Sequence, residues 1–443
     1  MNGDRAGRAF QRVLMVNKFH YPRGGAEHYM FRLAGLLEGR GARVDYFAMH
    51  DSRNLPCDTD RYFVSEVDFE DPPQGVRGRA RVAGRMVYSL EAKRKMGGLL
   101  AHRPVDLAHV HNIYHQLSPS LLAPLRQRGI PVVMTVHDFK LVCPVYSLLS
   151  NGQICERCVG HGFSHAVRQR CNRGSLSGSM LVAGETWLHR RLRLYRDGID
   201  LFITPSAFAR DRMVTSGYPS DRIMVIPNCV VAEDYVPLHQ PGDHCLYVGR
   251  LSREKGVEVL VQAAIETGAR VKLVGDGPLR PQLQAMVERS GADVELLGFR
   301  SGPELAAAVQ ACAAVVMPSI CHDNCPLAVI EAMAWGKPVI GSRVGGIPEL
   351  VRDGQEGVLV AHGDAPALGE AMLAMQNDPD RSQRLGRAGR ECVMQRYDAG
   401  PHYSAVAEAY ARAADIRKAL KLYRTACGVQ IAVLGFLFVL VLN

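Results

Sequence analysis

Several familiar signatures are missing from this sequence, and each absence removes a class of function. No G-x-G-x-x-G fingerprint occurs, which argues against a standard dinucleotide site. No apolar signal-peptide core precedes the first strand-like segment, because residues 1–11 are polar and charged. Internal repeats and low-complexity tracts are lacking, so solenoids and disordered arrays are set aside. No nucleic-acid motif accompanies the basic residues, and nucleic acid is not expected as a partner. Asp58-Thr59-Asp60 and Asp378-Pro379-Asp380 have the form of Asp-x-Asp metal motifs, but neither follows a buried strand. Both read as surface turns, and no cofactor is expected to be required for catalysis.

What is present describes a folded, two-domain chain. Its 443 residues suffice for two cores, and 47% apolar with 22% charged residues is a globular composition. The net charge of +9 is unevenly placed, with arginines crowded from Arg77 to Arg103 and from Arg168 to Arg196. Such clusters suit solvated helix faces, an anionic membrane or a phosphorylated substrate. Twelve cysteines without a secretory signal suggest reduced thiols and a cytosolic body. From Cys427 to Leu442 the chain is almost wholly apolar and follows Lys418, Lys421 and Arg424. This tail is expected to associate the protein with the inner face of the plasma membrane, its body remaining cytoplasmic.

Short apolar runs alternate with helical stretches throughout. Val13–Val16, Arg43–Phe47, Leu107–Val110, Val132–Val136 and Leu201–Thr204 read as buried strands in the first half. His244–Val248, Val271–Val274, Val294–Leu297, Ala314–Met317, Val339–Ile340 and Val358–Val360 do so in the second. Pro278 is expected at a first helical position, and Ser206 as an N-cap with Gly217 at the far end. Strands alternating with helices imply parallel sheets covered on both faces, hence an α/β fold of two facing Rossmann-like domains. The break is placed at Ile226-Pro227-Asn228. Residues 1–226 form the first domain, 227–396 the second, 397–425 C-terminal helices and 426–443 the tail.

Ligands of such sheets bind at the carboxyl ends of strands, and the suggestive residues fall there. Gly24 and Gly25, before Ala26-Glu27, open a helix whose free N–H groups favour an anion. In the second half Gly249-Arg250-Leu251 leads to Lys255-Gly256, a strand-tip glycine with two cations suited to a diphosphate. Further on come Asp323-Asn324-Cys325-Pro326-Leu327 and, eight residues after Asp323, Glu331 within an apolar helix. A carboxylate there is costly to bury unless hydrogen-bonded, as ribose hydroxyls would do. A helix-face glutamate paired with Lys or Arg is the plainer alternative.

Taken in order, these segments resemble the group 1 glycosyltransferases, glycosyltransferase family four, with the GT-B fold. The resemblance runs to about Arg417. It is carried by Gly24-Gly25-Ala26-Glu27, Val136-His137-Asp138, Ile226-Pro227-Asn228, Gly249-Arg250-Leu251 with Lys255-Gly256, Val274-Gly275-Asp276-Gly277-Pro278, and Asp323 with Glu331. It implies that Arg250 and Lys255 hold a donor diphosphate and Glu331 the ribose. It implies further that Asp323 and His137 lie at the donor sugar, and that backbone N–H groups after Asp323, at Asn324, Cys325 and Leu327, assist. Asp323 stands where the family usually has glutamate, a reach shorter by about 1.5 Å. Asn-Cys-Pro replaces the common Phe-Gly-Leu, and Pro326 has no N–H to donate.

The implied activity is retaining transfer of a hexose-type sugar from a nucleotide-diphosphate sugar to a glycan or lipid-linked acceptor, as in cell-surface polysaccharide or glycolipid synthesis. A nucleotide-sugar epimerase of the same fold and a degenerate membrane-bound scaffold are the alternatives. Apart from these motifs, Cys143, Cys155, Cys158 and Cys171 bracket a polar insertion (143–171) with a single C-x2-C pair. They read as a structural zinc site or as reduced packing cysteines.

Overall fold

A computed structural model describes residues 10–67 and 75–441, with side chains at 76, 79 and from 423 onward outside the description. The apolar tail expected to anchor the chain therefore falls beyond the described side chains. Among the described residues no helix is long and apolar enough to cross a membrane.

The described residues form two parallel six-stranded sheets and one small hairpin. The first sheet holds β1 (Arg12–Val16), β2 (Arg43–Phe47), β3 (Leu107–Val110) and β4 (Val132–Thr135). Between β4 and the later strands lies the hairpin β5 (Leu149–Ser150) and β6 (Gln153–Ile154); β7 (Leu201–Thr204) and β8 (Ile223–Val225) complete the sheet in the order β2-β1-β3-β4-β7-β8. The second sheet holds β9 (Cys245–Val248), β10 (Val271–Val274), β11 (Val294–Gly298), β12 (Ala314–Met317), β13 (Val339–Ser342) and β14 (Gly357–Val360), ordered β11-β10-β9-β12-β13-β14. Val and Leu dominate the strands because both faces are covered by helices; β3, β4, β7 and β12 are buried at every residue. The strand expectations hold to within a residue or two at the ends. The hairpin was not anticipated, although Asn151-Gly152, both at positive φ, is the turn pair that such hairpins favour.

Ser206 caps the helix Ala207–Thr215 by accepting from the Ala209 N–H, as expected. Pro278 does not open a helix. The Leu279 N–H donates to the Leu251 carbonyl, which holds Pro278 in a turn, and the helix runs from Arg280 to Ser290.

The last helix, Ala399–Val441, leaves the second domain and packs on the first. Val406, Ala409, Tyr410 and Ala413 join the core of Val13, Met15 and Tyr29, and Arg417 bonds to the buried Asp200 (2.7 Å). The two domains are thus tied twice, at the link after β8 and by this return.

Candidate active site between the two sheets

The carboxyl ends of both sheets face one another across a cleft. A cavity of about 410 Å³ there is lined from the first domain by Gly25, His137 and Asp138, and from the second by Gly249, Lys255, Asp323 and Leu327. Two helices begin at it, Gly25–Glu38 from the first domain and Leu327–Ala334 from the second. Their first-turn N–H groups lack acceptors within their own helices, so two positive helix ends meet in one space. The approach is close. A Cβ added to Gly25 would stand 4.0 Å from Leu327.

Lys255 is fixed by an ion pair of 2.5 Å with Asp323 Oδ1, and Ser319 Oγ donates to the other carboxylate oxygen. Burial is the largest influence on the ammonium and works against its charge. Asp323, Cys321 and Glu254 together outweigh it, leaving the Lys255 pKa above its ordinary value. The loop carrying Asp323 can lie this close because of glycines. Gly345, at φ +59°, would place a Cβ 2.4 Å from the Asp323 carbonyl, and the Gly346 N–H donates to that carbonyl (2.7 Å).

His137 follows β4, with its Nε2 2.9 Å from His111 Nδ1. His111 stacks on His109, and His109 reaches Tyr410 of the final helix (2.8 Å) and Thr135 (2.7 Å). Burial pushes His137 down to about 3, so its imidazole is neutral at ordinary pH. One ring must therefore donate to the other. Beside it the Asp138 carboxyl accepts from Tyr114 Oη (2.5 Å) and the Lys140 N–H (2.9 Å), and burial raises its pKa.

A second space of about 810 Å³ adjoins the first and shares Gly25, Asn112 and Asp138 with it. Gly24, Arg250, Lys18 and Arg23 line it. Burial lowers the Lys18 pKa, with Asp138 and Glu27 opposing.

The expected residues are therefore partly, not wholly, gathered. Gly25, His137, Gly249, Lys255, Asp323 and Leu327 share the smaller cavity, while Gly24 and the exposed Arg250 stand in the adjoining one. Asn324 and Cys325 line the smaller cavity, but their side chains are engaged, that of Asn324 across the domains and that of Cys325 at the interdomain link. Asn324 Nδ2 donates to the Val136 carbonyl (2.9 Å) and its Oδ1 accepts from Ser206 (2.5 Å). Cys325 Sγ accepts from the Asn228 N–H (3.4 Å) and its carbonyl from Asn228 Nδ2 (2.7 Å), and burial pushes its thiol up to about 12. Their backbone N–H groups remain for a ligand.

Glu331 does not line either cavity. Its side chain is 35% exposed and 3.7 Å from Arg32 of the first domain, so it is not the buried carboxylate expected to need ribose hydroxyls. The helix turns this one position away from its apolar face.

Among the described residues no three His, Cys, Asp or Glu side chains are grouped as metal ligands. Cys143, Cys155, Cys158 and Cys171 influence one another electrostatically but are not gathered as a zinc site would be. Cys158 and Cys171 instead pack with Phe163, Ala166 and Ala183. Asp58 is paired with Arg43 and Arg103, and Asp378 caps the helix Pro379–Cys392, which engages the first carboxylate of each Asp-x-Asp triplet.

Asn112, Tyr114 and Lys18 are not marked by any motif of the sequence, and Asp138 enters there only as the neighbour of His137. Asn112 and Lys18 each lie two residues beyond a strand end, and Asp138 directly follows His137, so the strand-end rule marks all three. Tyr114 carried no signal.

Residues 23–234 match Glycosyltransferase Family 4 and residues 242–378 match Glycosyl transferases group 1. An uncharacterised glycosyltransferase of Methanocaldococcus jannaschii is 34% identical over 174 residues, 39% of this chain and 48% of that protein, so the match spans about half of that relative. Alpha-maltose-1-phosphate synthase of Mycolicibacterium smegmatis is 31% identical over 326 residues, 65% of this chain and 74% of that protein. The solved structure of Anabaena HepE with UDP and glucose superposes with a TM-score of 0.62 at 20% identity, covering 90% of this chain and 98% of that one. The shared fold is GT-B.

Proposed function

Because the chain belongs to the group 1 glycosyltransferases of family 4, we propose that it moves a hexose-type sugar, with retention, from a nucleoside-diphosphate donor to a glycan or lipid-linked acceptor. The observation that carries this reading is the convergence of Lys255 and two helix N-termini on the interdomain cavity. Breaking the anomeric bond leaves negative charge on the diphosphate, and these groups stabilise it where it develops. Arg250, from the adjoining space, adds a second cation at its edge. A nucleoside diphosphate is also what the HepE structure holds.

Asp323 is committed to Lys255 and Ser319, which leaves it poorly placed as a covalent nucleophile. Front-face displacement fits better. The acceptor oxygen bonds to the anomeric carbon as that carbon's bond to the diphosphate oxygen breaks, and the hydroxyl proton passes to the leaving diphosphate. His137, neutral and oriented by His111, would contact the sugar as a hydrogen-bonding group. The larger space, bounded by Lys18, Arg23 and Asp138, is the acceptor side, with room for a polar glycan or lipid-linked headgroup from surface polysaccharide or glycolipid synthesis. A thermal-shift and turnover screen against a panel of nucleotide sugars tests the reading. Stabilisation by one donor and release of its nucleoside diphosphate are expected; no response to any donor overturns it.

A further inference from the structure

The helix Leu176–Arg191 is built the wrong way round for one that faces water. Its inner side carries Ser179, Glu185, Thr186 and His189, all buried. Each meets a polar partner: Glu185 Oε2 meets Lys140 at 2.7 Å, His189 reaches the Val87 carbonyl at 2.7 Å, Thr186 the Val182 carbonyl, and Ser179 the Asn172 N–H. The outer side carries Leu176, Met180 and Trp187, spaced to fall on one stripe, with Met180 51% and Trp187 58% exposed. Leu192, at the helix end, is also exposed.

Charge frames this stripe with one sign. Seven arginines lie between Arg168 and Arg196, all exposed, and the one acidic residue in that span is the buried Glu185. Arg193 meets an acid only just outside it, Asp197 at 3.3 Å. The other arginine-rich stretch differs: Arg85 is paired with Glu91, and Arg103 with Asp45 and Asp58.

The basic surface continues to the end of the described side chains. Arg193 also borders a cavity of about 620 Å³ with Arg128, Arg222, Leu420 and Lys421. Six residues after Lys421 the sequence becomes the apolar run Cys427–Leu442. An exposed Trp-Met-Leu stripe with arginines before and after it is thus joined, through Arg193, to the Lys421 end of the described side chains. Apolar side chains flanked by cations match the boundary of an anionic bilayer, in which indole and thioether enter the acyl region and guanidinium groups meet phosphates.

We propose that Leu176–Arg191, with its flanking arginines, is a docking face for an anionic lipid surface, and that it seats the first domain on the membrane independently of the tail. This goes beyond the transferase reading and does not depend on it.

The test uses the full chain and its two tryptophans, Trp187 and Trp335. Emission is recorded with vesicles of phosphatidylglycerol in phosphatidylcholine, then of phosphatidylcholine alone. The Trp187→Phe variant isolates the Trp187 signal by difference. On anionic vesicles Trp187 emission should shift to the blue, be quenched by brominated acyl chains and become shielded from acrylamide. Trp187→Glu combined with Arg191→Glu, two exposed positions, should weaken vesicle affinity more than about tenfold. A cooperative thermal melt at the native temperature and an unchanged far-ultraviolet spectrum report that the variant is folded. If the chain floats with vesicles while Trp187 stays open to acrylamide, the tail alone is the contact and the proposal fails. It fails equally if the chain ignores anionic vesicles, or if the double variant binds as the native chain does.

Discussion

Asn324 of the second domain donates from Nδ2 to the carbonyl of Val136 in the first, 2.9 Å away and one residue before His137. The loop bearing Asp323 and the strand end bearing His137 are thereby held in one register. Asn324→Ala leaves a buried carbonyl and Ser206 Oγ short of partners, a cost of about 1–3 kcal/mol. Turnover should fall along with melting temperature, because both sides of the cavity lose their spacing. Calorimetry and steady-state rates check this; a variant equal to the native chain in both would refute the clamp.

Lys255→Ala should lower turnover by roughly ten- to a hundredfold, since one charge-assisted contact to the leaving group amounts to about 1.5–3 kcal/mol. The loss should fall on kcat more than on donor affinity, because the diphosphate charge grows in the transition state. Arg250→Ala should lose less, being exposed at the edge of the adjoining space. Equal losses for the two would contradict the positions assigned to them.

Acid should unfold this protein early. Burial holds His20 and His402 down to about 4, His109 and His137 to about 3, and His111 well below its ordinary value. Below about pH 6.5 the unfolded chain takes up protons on these rings that the folded chain refuses. Stability is therefore full above that pH and is lost as pH falls toward the folded values. Each histidine contributes about 1.4 kcal/mol per pH unit in that window. Urea midpoints from pH 7.5 to 5 should decline steeply, and a flat profile would mean that the rings are not held neutral.

Lys140 and Glu185 are both buried and 2.7 Å apart. Burial alone would raise the Glu185 pKa, but Lys140 with His115 and His189 holds it at about 2. Glu185→Gln should cost on the order of 3–5 kcal/mol by stranding the ammonium. Lys140→Met with Glu185→Leu should cost less than either single change. Denaturant unfolding of Glu185→Gln, of each single change and of the double variant decides it.

Transfer should survive EDTA, because one carboxylate of each Asp-x-Asp triplet is engaged elsewhere, Asp58 with Arg43 and Asp378 as a helix cap. Activity lost to chelator and restored by magnesium would contradict this.

The sequence by itself determined the two parallel sheets, since Val- and Leu-rich runs separated by helical periods have few other ways to be buried. It also located Gly25, His137, Lys255 and Asp323, because ligand-binding residues collect just past strand ends and those positions are local. Tertiary structure decided what could not be local. Asn324 and Cys325 sit beside Asp323 in sequence, yet the Asn324 side chain turns to Val136 and Ser206 of the other domain, and the Cys325 thiol and carbonyl are taken by Asn228 of the link. Glu331 lies in an apolar run but finds Arg32, some 300 residues away, and stays half-exposed. The stripe of Leu176, Met180 and Trp187 would read as a core face by spacing alone. It became an outer face because Lys140 and the Val87 carbonyl offer Glu185 and His189 buried partners on the opposite side, and a helix of this length can bury only one of its two faces.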